Sequence, residues 1–265
     1  MNDEGRGHEA VIKPYLREKL GRRRVVGTHI EMTDSLCSEV IGRVGYDFVL
    51  VDAVDSEASY TALRNHMSVL SSEGTPTVVR VAGNMTAHVG RVLELGPDGV
   101  IFPGLVTARD VEEAMQLCVY PPEGRRRYSP LRAVGYGLGD AMTDFRRDST
   151  QMCRFVQLDS AEALRNLPEM VENPLIDGFF FAPGELCRAD GTPDGVYGAD
   201  TEELLRQASG VITDAGLPFG VSILREGGDV LRFWLDLGAT LIASGADFGY
   251  ILGGAAENLT TLRGL

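Results

Sequence analysis

Residues 48–55 read FVLVDAVD, a run of four apolar residues that leads into two acids, Asp52 and Asp55. A short apolar run of this kind is typical of a strand that is buried on both faces of a parallel sheet. A carboxylate is costly to bury without a partner, so two acids beside a core strand are expected to have either partners or a chemical role. The stretch therefore predicts a buried strand that delivers two acids to its carboxyl end.

The same pattern recurs along the chain from about residue 25 to the end. The strand candidates are VVGTHI (25–30), DFVLVD (47–52), TVVRVA (77–82), GVIFPG (99–104), CRFVQLD (153–159), DGFFFAP (177–183), FGVSIL (219–224) and ATLIASG (239–245). Amphipathic stretches separate them; residues 33–44, for example, place Leu36, Val40 and Ile41 on one helix face. Alternation of this kind is typical of βα units around a parallel sheet. The sequence thus predicts the α/β class and a (β/α)8 TIM barrel of eight parallel strands.

The predicted domain organisation is a polar, helical lead-in over residues 1–24 followed by one barrel domain over residues 25–265. No Ser-, Gly- or Pro-rich hinge divides the chain into self-sufficient halves. The one long connection is Tyr120–Thr150, and loops of this length are usually functional or mobile. Its arginines, Arg125, Arg126 and Arg127, are expected either to close over the active site and recognise an acidic group or only to make subunit contacts.

Composition restricts the class of partner. The chain of 265 residues is 44% hydrophobic and 24% charged, as in soluble globular proteins. Its 38 acids against 25 Lys and Arg give a formal charge of −13. This balance argues against nucleic acid or an anionic membrane as the main partner, while anionic small substrates remain open.

Cysteine usage and the amino terminus predict a cytoplasmic protein. The four cysteines are scattered singly, without a CxxC pair or a nearby His, which disfavours a zinc site or a disulfide framework. The first residues lack the apolar core of a signal peptide, and no run is long enough to span a bilayer. The cysteines are Cys37, Cys118, Cys153 and Cys187.

Polar residues at the predicted strand ends are the candidates for a site, because catalysis in such barrels occurs where strands end and βα loops begin. They are His29, Asp52, Asp55, Arg80, Asp159, Glu185, Ser222 and Asp247. Arginine is seldom buried unpaired, and its planar fork suits a carboxylate or an enolate oxygen. Arg80 is therefore expected to serve chemistry, or to neutralise Asp52 at the barrel mouth, and these two roles are compatible.

Two further acids, Asp159 and Glu185, each follow a strong apolar run. Carboxylates that converge without Cys or His beside them form an oxygen-donor site suited to Mg²⁺ or Mn²⁺. Acids that cap helix N-termini after a strand would produce the same pattern, so both interpretations stay open.

Six segments in order then resemble a known family. They are GYDFVLVD, PTVVRV, VIFPGLVTARDVEEA, YPPEGRR, VQLD and DGFFFAPGEL. They are similar to class II 2-oxo acid aldolases of the HpcH/HpaI type, in the phosphoenolpyruvate/pyruvate-binding barrel superfamily, over nearly the whole chain. The resemblance implies a metal-dependent carbon–carbon lyase or synthase that acts through a pyruvate enolate, formed from a 2-oxo acid such as pyruvate or oxaloacetate.

The resemblance also implies individual roles. Asp159 and Glu185 would ligate a divalent cation, Mg²⁺ or Mn²⁺ with Co²⁺ as a further option. Arg80 would stabilise the developing enolate oxygen. Glu94 stands where the family often has an Asp that reaches into a neighbouring subunit's site, and the implied assembly is a homo-oligomer, a hexamer or a trimer.

Substrate binding is implied for a second set of residues. The amides around Gly184 and Glu185 would hold the substrate carboxylate, and Pro183 and Arg80 are further substrate-binding residues. Gln157 would shape the surroundings of the metal.

Two departures from the family pattern bear on the chemistry. The usual metal pair is Glu and then Asp, whereas this chain has Asp159 and then Glu185. Each exchange alters reach by one methylene, roughly 1.5 Å, in opposite senses, so the metal is expected to be displaced and retained. The family also ends its second strand with Asp-x-Glu-His, where the His is the base; here Val54 and Asp55 replace the Glu and the His.

An ordinary Asp has a pKa near 3.9 against about 6.5 for His, so Asp55 is a far weaker base. Three solutions remain open. Burial beside Asp52 could raise the pKa of Asp55. His29 could take over proton transfer, although a solvated or packing role fits it equally well. Alternatively, decarboxylation of an oxaloacetate-like substrate could form the enolate without any base, a route for which relatives of macrophomate synthase and siderophore citrate synthase look like precedents.

The functional prediction therefore has alternatives. A decarboxylative or thioester-using condensation enzyme, similar to citrate synthase or citrate lyase, would work without the missing His. A non-catalytic descendant that binds a 2-oxo acid would also lack it. Retention of Arg80, Asp52 and both metal carboxylates opposes the non-catalytic alternative.

Overall fold

The computed structural model describes residues 16–81, 86–190, 198–224 and 228–265, with the side chains of 141, 187–190 and 199–200 excepted. Eight parallel strands close into a barrel in chain order. They are β1 (Val25–Ile30), β2 (Phe48–Asp52), β3 (Thr77–Arg80), β4 (Gly99–Phe102), β5 (Cys153–Leu158), β6 (Gly178–Phe181), β7 (Phe219–Ile223) and β8 (Leu241–Ala246). All eight predicted strands and the predicted (β/α)8 barrel are confirmed.

Helices alternate with the strands. They are α1 (Leu16–Lys19), α2 (Leu36–Val44), α3 (Tyr60–Ser72), α4 (Thr86–Glu94), α5 (Ala108–Gln116), α6 (Ala141–Gln151), α7 (Ala161–Met170), α8 (Pro183–Asp190), α9 (Ala199–Asp214), α10 (Gly228–Asp236) and α11 (Asp247–Arg263), with a 3₁₀ segment at Arg132–Gly137. Side chains cap several of them; Ser59, for example, accepts a hydrogen bond from the amide of Ala62 at the start of α3.

The barrel interior is filled by large side chains from alternate strand positions. Phe48, Phe155 and Phe180 are fully buried there, and Phe180 meets the edges of the other two rings at centroid distances of 6.3 Å and 5.3 Å. Gly27 is required on β1, because a Cβ at this position would lie 2.6 Å from the ring of Phe48. Leu16 of α1 joins this cluster. Helix α1 thereby closes the end of the barrel where the strands begin, and residues 1–15 of the predicted lead-in lie outside the described residues.

The outer layer differs from expectation at α2. Ile41 is buried, but Leu36 and Val40, predicted to share its face, are 64% and 59% exposed. Apolar surface of this extent on a helix is either covered by another molecule or remains in water at a cost in free energy.

The last helix, α11, is also poorly covered. Asp247 is its only buried residue. Its exposed large apolar residues are Phe248, Tyr250, Ile251, Leu252, Leu259 and Leu262. An apolar groove of about 310 Å³ runs between α2 and α11. We refer to the exposed apolar residues Leu36, Val40 and Ile251 along it as the α2–α11 surface.

The long connection Tyr120–Thr150 lies at the end of the barrel where the strands begin. It joins α5 to β5, whereas active-site loops follow strands. Arg126 is buried within it, forms an ion pair with Asp148 at 2.6 Å and donates to the carbonyl of Leu93 near the end of α4. The expectation that this segment closes over the chain's own site is therefore wrong. The alternative, that its arginines make subunit contacts, stays a prediction.

Two further expectations concern thiols and membranes. Cys37, Cys118 and Cys153 are free thiols, and the side chain of Cys187 lies outside the described ones. None of the helices in the described part of the chain combines the length and apolarity that crossing a bilayer requires.

Candidate active site

A cavity of about 600 Å³ opens at the carboxyl ends of the strands. It brings together most of the residues selected from the sequence. Those that line it are His29, Asp52, Asp55, Arg80, Gln157, Gly184, Glu185 and Ser222. Asp159 lies beside it, through contact with Gln157. This is the end of the barrel at which (β/α)8 enzymes bind their substrates.

Arg80 is the centre of the charge network in the cavity. Its guanidinium binds both oxygens of Asp52, at 3.2 Å and 2.6 Å, and reaches Oε1 of Glu185 at 2.6 Å. It also binds Asp55. Asp52 is buried and uses Oδ1 to accept a hydrogen bond from the amide of Val54 at 2.7 Å, which shapes the turn after β2. Both acids of the opening stretch are thus partners of Arg80.

Gln157 joins the two carboxylates predicted to hold a metal. Its Nε2 donates to Glu185 Oε2 and lies 3.4 Å from Asp159 Oδ2. Asp159 Oδ2 also accepts a hydrogen bond from the amide of Gly104 at 2.8 Å. Burial raises the pKa of Asp159, because the charged form loses hydration. The side-chain amide of Gln157 therefore brings the two carboxylates together, with Glu185 on the cavity wall and Asp159 beside it.

This donor set fits a hard divalent cation that keeps most of its waters. Asp159 and Glu185 supply oxygen donors alone, and Mg²⁺ characteristically uses one or two carboxylates with waters and substrate oxygens. Within the described residues there is no group of three or more His, Cys, Asp or Glu side chains arranged to hold a metal ion. The fit is thus to an open, carboxylate-poor Mg²⁺ or Mn²⁺ site and not to a closed zinc site.

His29 is held on both sides of its ring. Nδ1 lies 2.8 Å from the carbonyl oxygen of Gly245, and Nε2 lies 2.8 Å from the hydroxyl of Ser222. The carbonyl can only accept, so Nδ1 carries the proton and Nε2 accepts from Ser222. Burial lowers the pKa of His29 to about 4. The imidazole is therefore neutral, oriented and a weak base.

Asp55 is not buried beside Asp52, as the first of the three solutions for the missing base requires. Its side chain is 68% exposed and is bound to Arg80. The turn after β2 carries it to the rim of the cavity instead of its floor. Burial beside Asp52, which that solution required, is absent.

The predicted carboxylate-binding amides lie at the start of α8. The amide of Glu185 donates to the carbonyl of Ala182 at 3.0 Å and is thus engaged by the helix. Gly184 lines the cavity, and a Cβ there would meet no atom within 4 Å. Pro183 begins the helix without lining the cavity, and it has no amide hydrogen to donate.

Glu94 is not near these residues. It ends α4 at the opposite end of the barrel, where burial raises its pKa and Arg126 is a neighbouring charge. A role for Glu94 in this chain's own cavity is not supported. Its expected reach into a neighbouring subunit stays a prediction.

One charged residue that lines the cavity, Glu31, was not among the candidates predicted from the sequence. Glu31 lines the wall beside His29, just beyond the end of β1. Asp247, selected without a role, is buried and accepts hydrogen bonds from the amides of Glu31 and Met32 at 3.2 Å and 3.0 Å. The signal for Glu31 was present, because alternate strand residues share a face and Glu31 follows His29 by two positions.

Comparison with known proteins gives three kinds of similarity. A model of the HpcH/HpaI aldolase/citrate lyase family matches residues 26–252. A hydroxypyruvate/pyruvate aldolase of Roseobacter denitrificans is 28% identical over 85% of this chain and 88% of its own. A 4-hydroxy-2-oxo-heptane-1,7-dioate aldolase of Shigella sonnei is 27% identical over 93% of this chain and 92% of its own.

Solved structures share the fold. An HpcH/HpaI aldolase/citrate lyase family protein of Burkholderia cenocepacia superposes with a TM-score of 0.86 at 22% identity, covering 96% of this chain and 99% of the other. The citrate synthase SbnG gives 0.80 at 20% identity, covering 91% and 94%. The citrate lyase beta subunit of M. tuberculosis, solved with oxaloacetate and magnesium, gives 0.57 at 16% identity, covering 88% and 95%.

Proposed function

Because the chain belongs to the HpcH/HpaI aldolase/citrate lyase family, we propose that it is a divalent-metal-dependent carbon–carbon lyase or synthase that acts through the enolate of a 2-oxo acid. The proposed substrates are pyruvate and oxaloacetate. The observation that carries the proposal is Arg80, held by Asp52 in a cavity lined by Gln157 and Glu185, with Asp159 beside it in contact with Gln157.

Asp159 and Glu185 would hold Mg²⁺ or Mn²⁺, which supplies Lewis-acid polarisation of the substrate's keto and carboxylate oxygens when bound. The chain's own residues have separate tasks. Arg80 places a fixed positive charge where negative charge develops on the keto oxygen, and such preorganised charge is usually a large part of catalysis. Asp52 holds the guanidinium plane in place, and the open backbone at Gly184 lets a substrate carboxylate approach α8.

A decarboxylative condensation is the second candidate, and specific observations favour it. Asp55 stands at the family's base position but is exposed and bound to Arg80, and His29 is neutral with both ring nitrogens engaged. Loss of CO₂ from an oxaloacetate-like substrate forms the enolate without removing a proton. The citrate synthase among the similar folds is in keeping with this chemistry, although its likeness to this chain is one of fold alone.

The first experiment separates these candidates. The protein is incubated with oxaloacetate and Mg²⁺ or Mn²⁺, with and without EDTA, while loss of oxaloacetate and deuterium uptake into the methyl group of pyruvate are both followed. Metal-dependent decarboxylation supports the proposed function. Methyl exchange in addition supports an aldolase, and its absence supports a decarboxylative enzyme. Absence of both decarboxylation and methyl exchange would overturn the proposal in favour of a non-catalytic 2-oxo acid binder.

We further propose that the protein is a homo-oligomer in the cytoplasm. The exposed apolar residues of the α2–α11 surface support assembly, because α11 is the helix after β8 and is not covered by its own barrel. A second copy of this chain is the proposed occupant of the groove. The free thiols of Cys37, Cys118 and Cys153 are in keeping with a reducing compartment.

A further inference from the structure

The cavity contains three groups at its His29 side that could exchange a proton with a substrate, and two of them are already engaged. Nε2 of His29 accepts from Ser222 while Nδ1 binds the carbonyl of Gly245. The carboxylate of Asp55 is bound to Arg80 at the cavity rim. The third group is Glu31, to which no predicted role was attached.

Glu31 is placed by its backbone and not by its side chain. Asp247 accepts hydrogen bonds from the amides of Glu31 and Met32, so the turn after β1 is fixed from the base of α11. The carboxylate itself lines the cavity and makes no hydrogen bond or ion pair with any residue in the described ranges. A fixed backbone with an uncommitted carboxylate is the arrangement that proton transfer to a bound substrate requires.

The surroundings of Glu31 favour its protonated form near neutral pH. The pKa of Glu31 is raised to about 7, chiefly by burial; the carboxylates of Asp52, Asp247 and Asp55 also raise it, and Arg80 lowers it. His29, two residues earlier on β1, is neutral and adds no charge. A group with its pKa near the working pH is effective both as an acid and as a base.

We propose that Glu31 is the acid–base residue of this site, in place of the base that the chain lacks after β2. This inference rests on the proposed function. In enolisation, the Glu31 carboxylate takes a proton from the substrate's methyl carbon, and the C–H electron pair becomes the C2–C3 double bond as the keto oxygen gains negative charge. In aldol cleavage it takes the proton of the C4 hydroxyl while the C3–C4 bond breaks. The protonated Glu31 then returns that proton to C3.

The test compares two reactions of the same enzyme. Methyl exchange of pyruvate needs proton transfer, whereas oxaloacetate decarboxylation needs none in its bond-breaking step. In Glu31→Gln, the ratio of exchange to decarboxylation is expected to fall by about 100-fold or more, the usual contribution of a general acid or base. Glu31→Asp, which keeps a carboxylate, is expected to recover part of the exchange. Glu57→Gln is the matched control, because Glu57 is an exposed carboxylate in the loop after β2, at the same end of the barrel.

A pH profile and a direct titration complete the test. Exchange by the wild type is expected to rise through pH 7 as Glu31 deprotonates, and Glu31→Gln is expected to lose this inflection. Carbon-13 NMR of Glu-labelled protein without metal or substrate is expected to show one carboxyl that titrates near pH 7 and disappears in Glu31→Gln.

The outcomes separate this inference from the proposed function. A wild type that neither decarboxylates nor exchanges overturns the proposed function. A wild type that does both, with an unchanged ratio in Glu31→Gln, overturns the role of Glu31 alone. If Asp55→Asn or His29→Asn abolishes exchange while Glu31→Gln does not, the base is that residue.

Discussion

Asp52 and Arg80 are register partners on the adjacent strands β2 and β3, and the guanidinium of Arg80 binds both carboxylate oxygens of Asp52. Because the two backbones are hydrogen-bonded at this point, the plane of the guanidinium is fixed relative to the barrel. Its remaining nitrogen, Nη1, is consequently directed across the cavity to Glu185. The pair orients a charge at the site as well as neutralising one.

Replacing Arg80 is expected to impair both catalysis and stability. Arg80→Ala leaves Asp52 buried without its partner, and breaking a buried pair in this way typically costs about 3–5 kcal/mol. The free energy of unfolding from urea titration should fall accordingly. Arg80→Lys keeps a charge without the fork, and we expect oxaloacetate decarboxylation to fall by about 100-fold or more. Arg109→Lys, at an exposed i,i+4 pair with Glu113, is the control. Full activity in Arg80→Lys would contradict a role in charge stabilisation.

Metal binding is expected to depend on both carboxylates that contact Gln157. Asp159→Ala and Glu185→Ala should each weaken Mn²⁺ binding, measured by titration calorimetry. Each should also abolish oxaloacetate decarboxylation, as EDTA is expected to do in the wild type. Glu162→Ala, an exposed acid in the first turn of α7, should bind Mn²⁺ as the wild type does. Full activity of the Asp159→Ala, Glu185→Ala double variant would eliminate this site as the metal centre.

His29 is expected to make the protein less stable in acid. Burial lowers its pKa to about 4 in the native state. Between about pH 6.5 and 4, the unfolded state therefore binds a proton that the native state does not. The stabilisation is present above pH 6.5 and is lost as the pH falls toward 4, by about 3 kcal/mol at most. Urea unfolding at pH 7, 6 and 5 measures it. In His29→Asn the decline over this range should be smaller; an equal decline would assign the acid sensitivity to other groups.

The strands could be predicted from the sequence because each is an apolar run buried on both faces, and all eight were found. The packing of α2 could not be predicted in the same way. Ile41 faces the barrel, whereas Leu36 and Val40 do not, and apolar periodicity is the same whether a helix is covered by its own chain or by another. The position of Tyr120–Thr150 could have been predicted, since a connection that follows a helix returns to the far end of the barrel.

The charged residues of the candidate site could be predicted from the sequence, whereas the contacts between its residues could be predicted only in part. Polar residues at strand ends identified Arg80 and both carboxylates beside Gln157, because such residues are exceptional in apolar runs. The engagement of both ring nitrogens of His29 depends on Ser222 and Gly245, which are distant in sequence. Glu31 lies just beyond its strand, where a polar residue is ordinary. Its spacing of two residues from His29 was the available signal, and the hydrogen bond from its amide to Asp247 joins residues that are distant in sequence.

The α2–α11 surface is expected to be a contact between copies of the chain. Light scattering of the wild type should give a multiple of the 28.7 kDa chain mass. Leu36→Asp with Ile251→Asp, which places charges on both sides of the groove, should lower that mass. Leu138→Asp, at a 92% exposed position in the Tyr120–Thr150 segment, is the comparison. Dissociation by Leu138→Asp alone would transfer the contact to that segment, and a monomeric wild type would exclude both.

Asp247 belongs to two parts of the molecule at once. It is the first residue of α11, and its carboxylate holds the turn that carries Glu31 into the cavity. If α11 forms the proposed subunit contact, assembly and substrate binding both act on Asp247 and are thermodynamically linked. Linkage is reciprocal, so a substrate that orders this turn strengthens subunit association by the same factor by which association strengthens substrate binding. Dilution of the enzyme should consequently weaken its affinity for substrate.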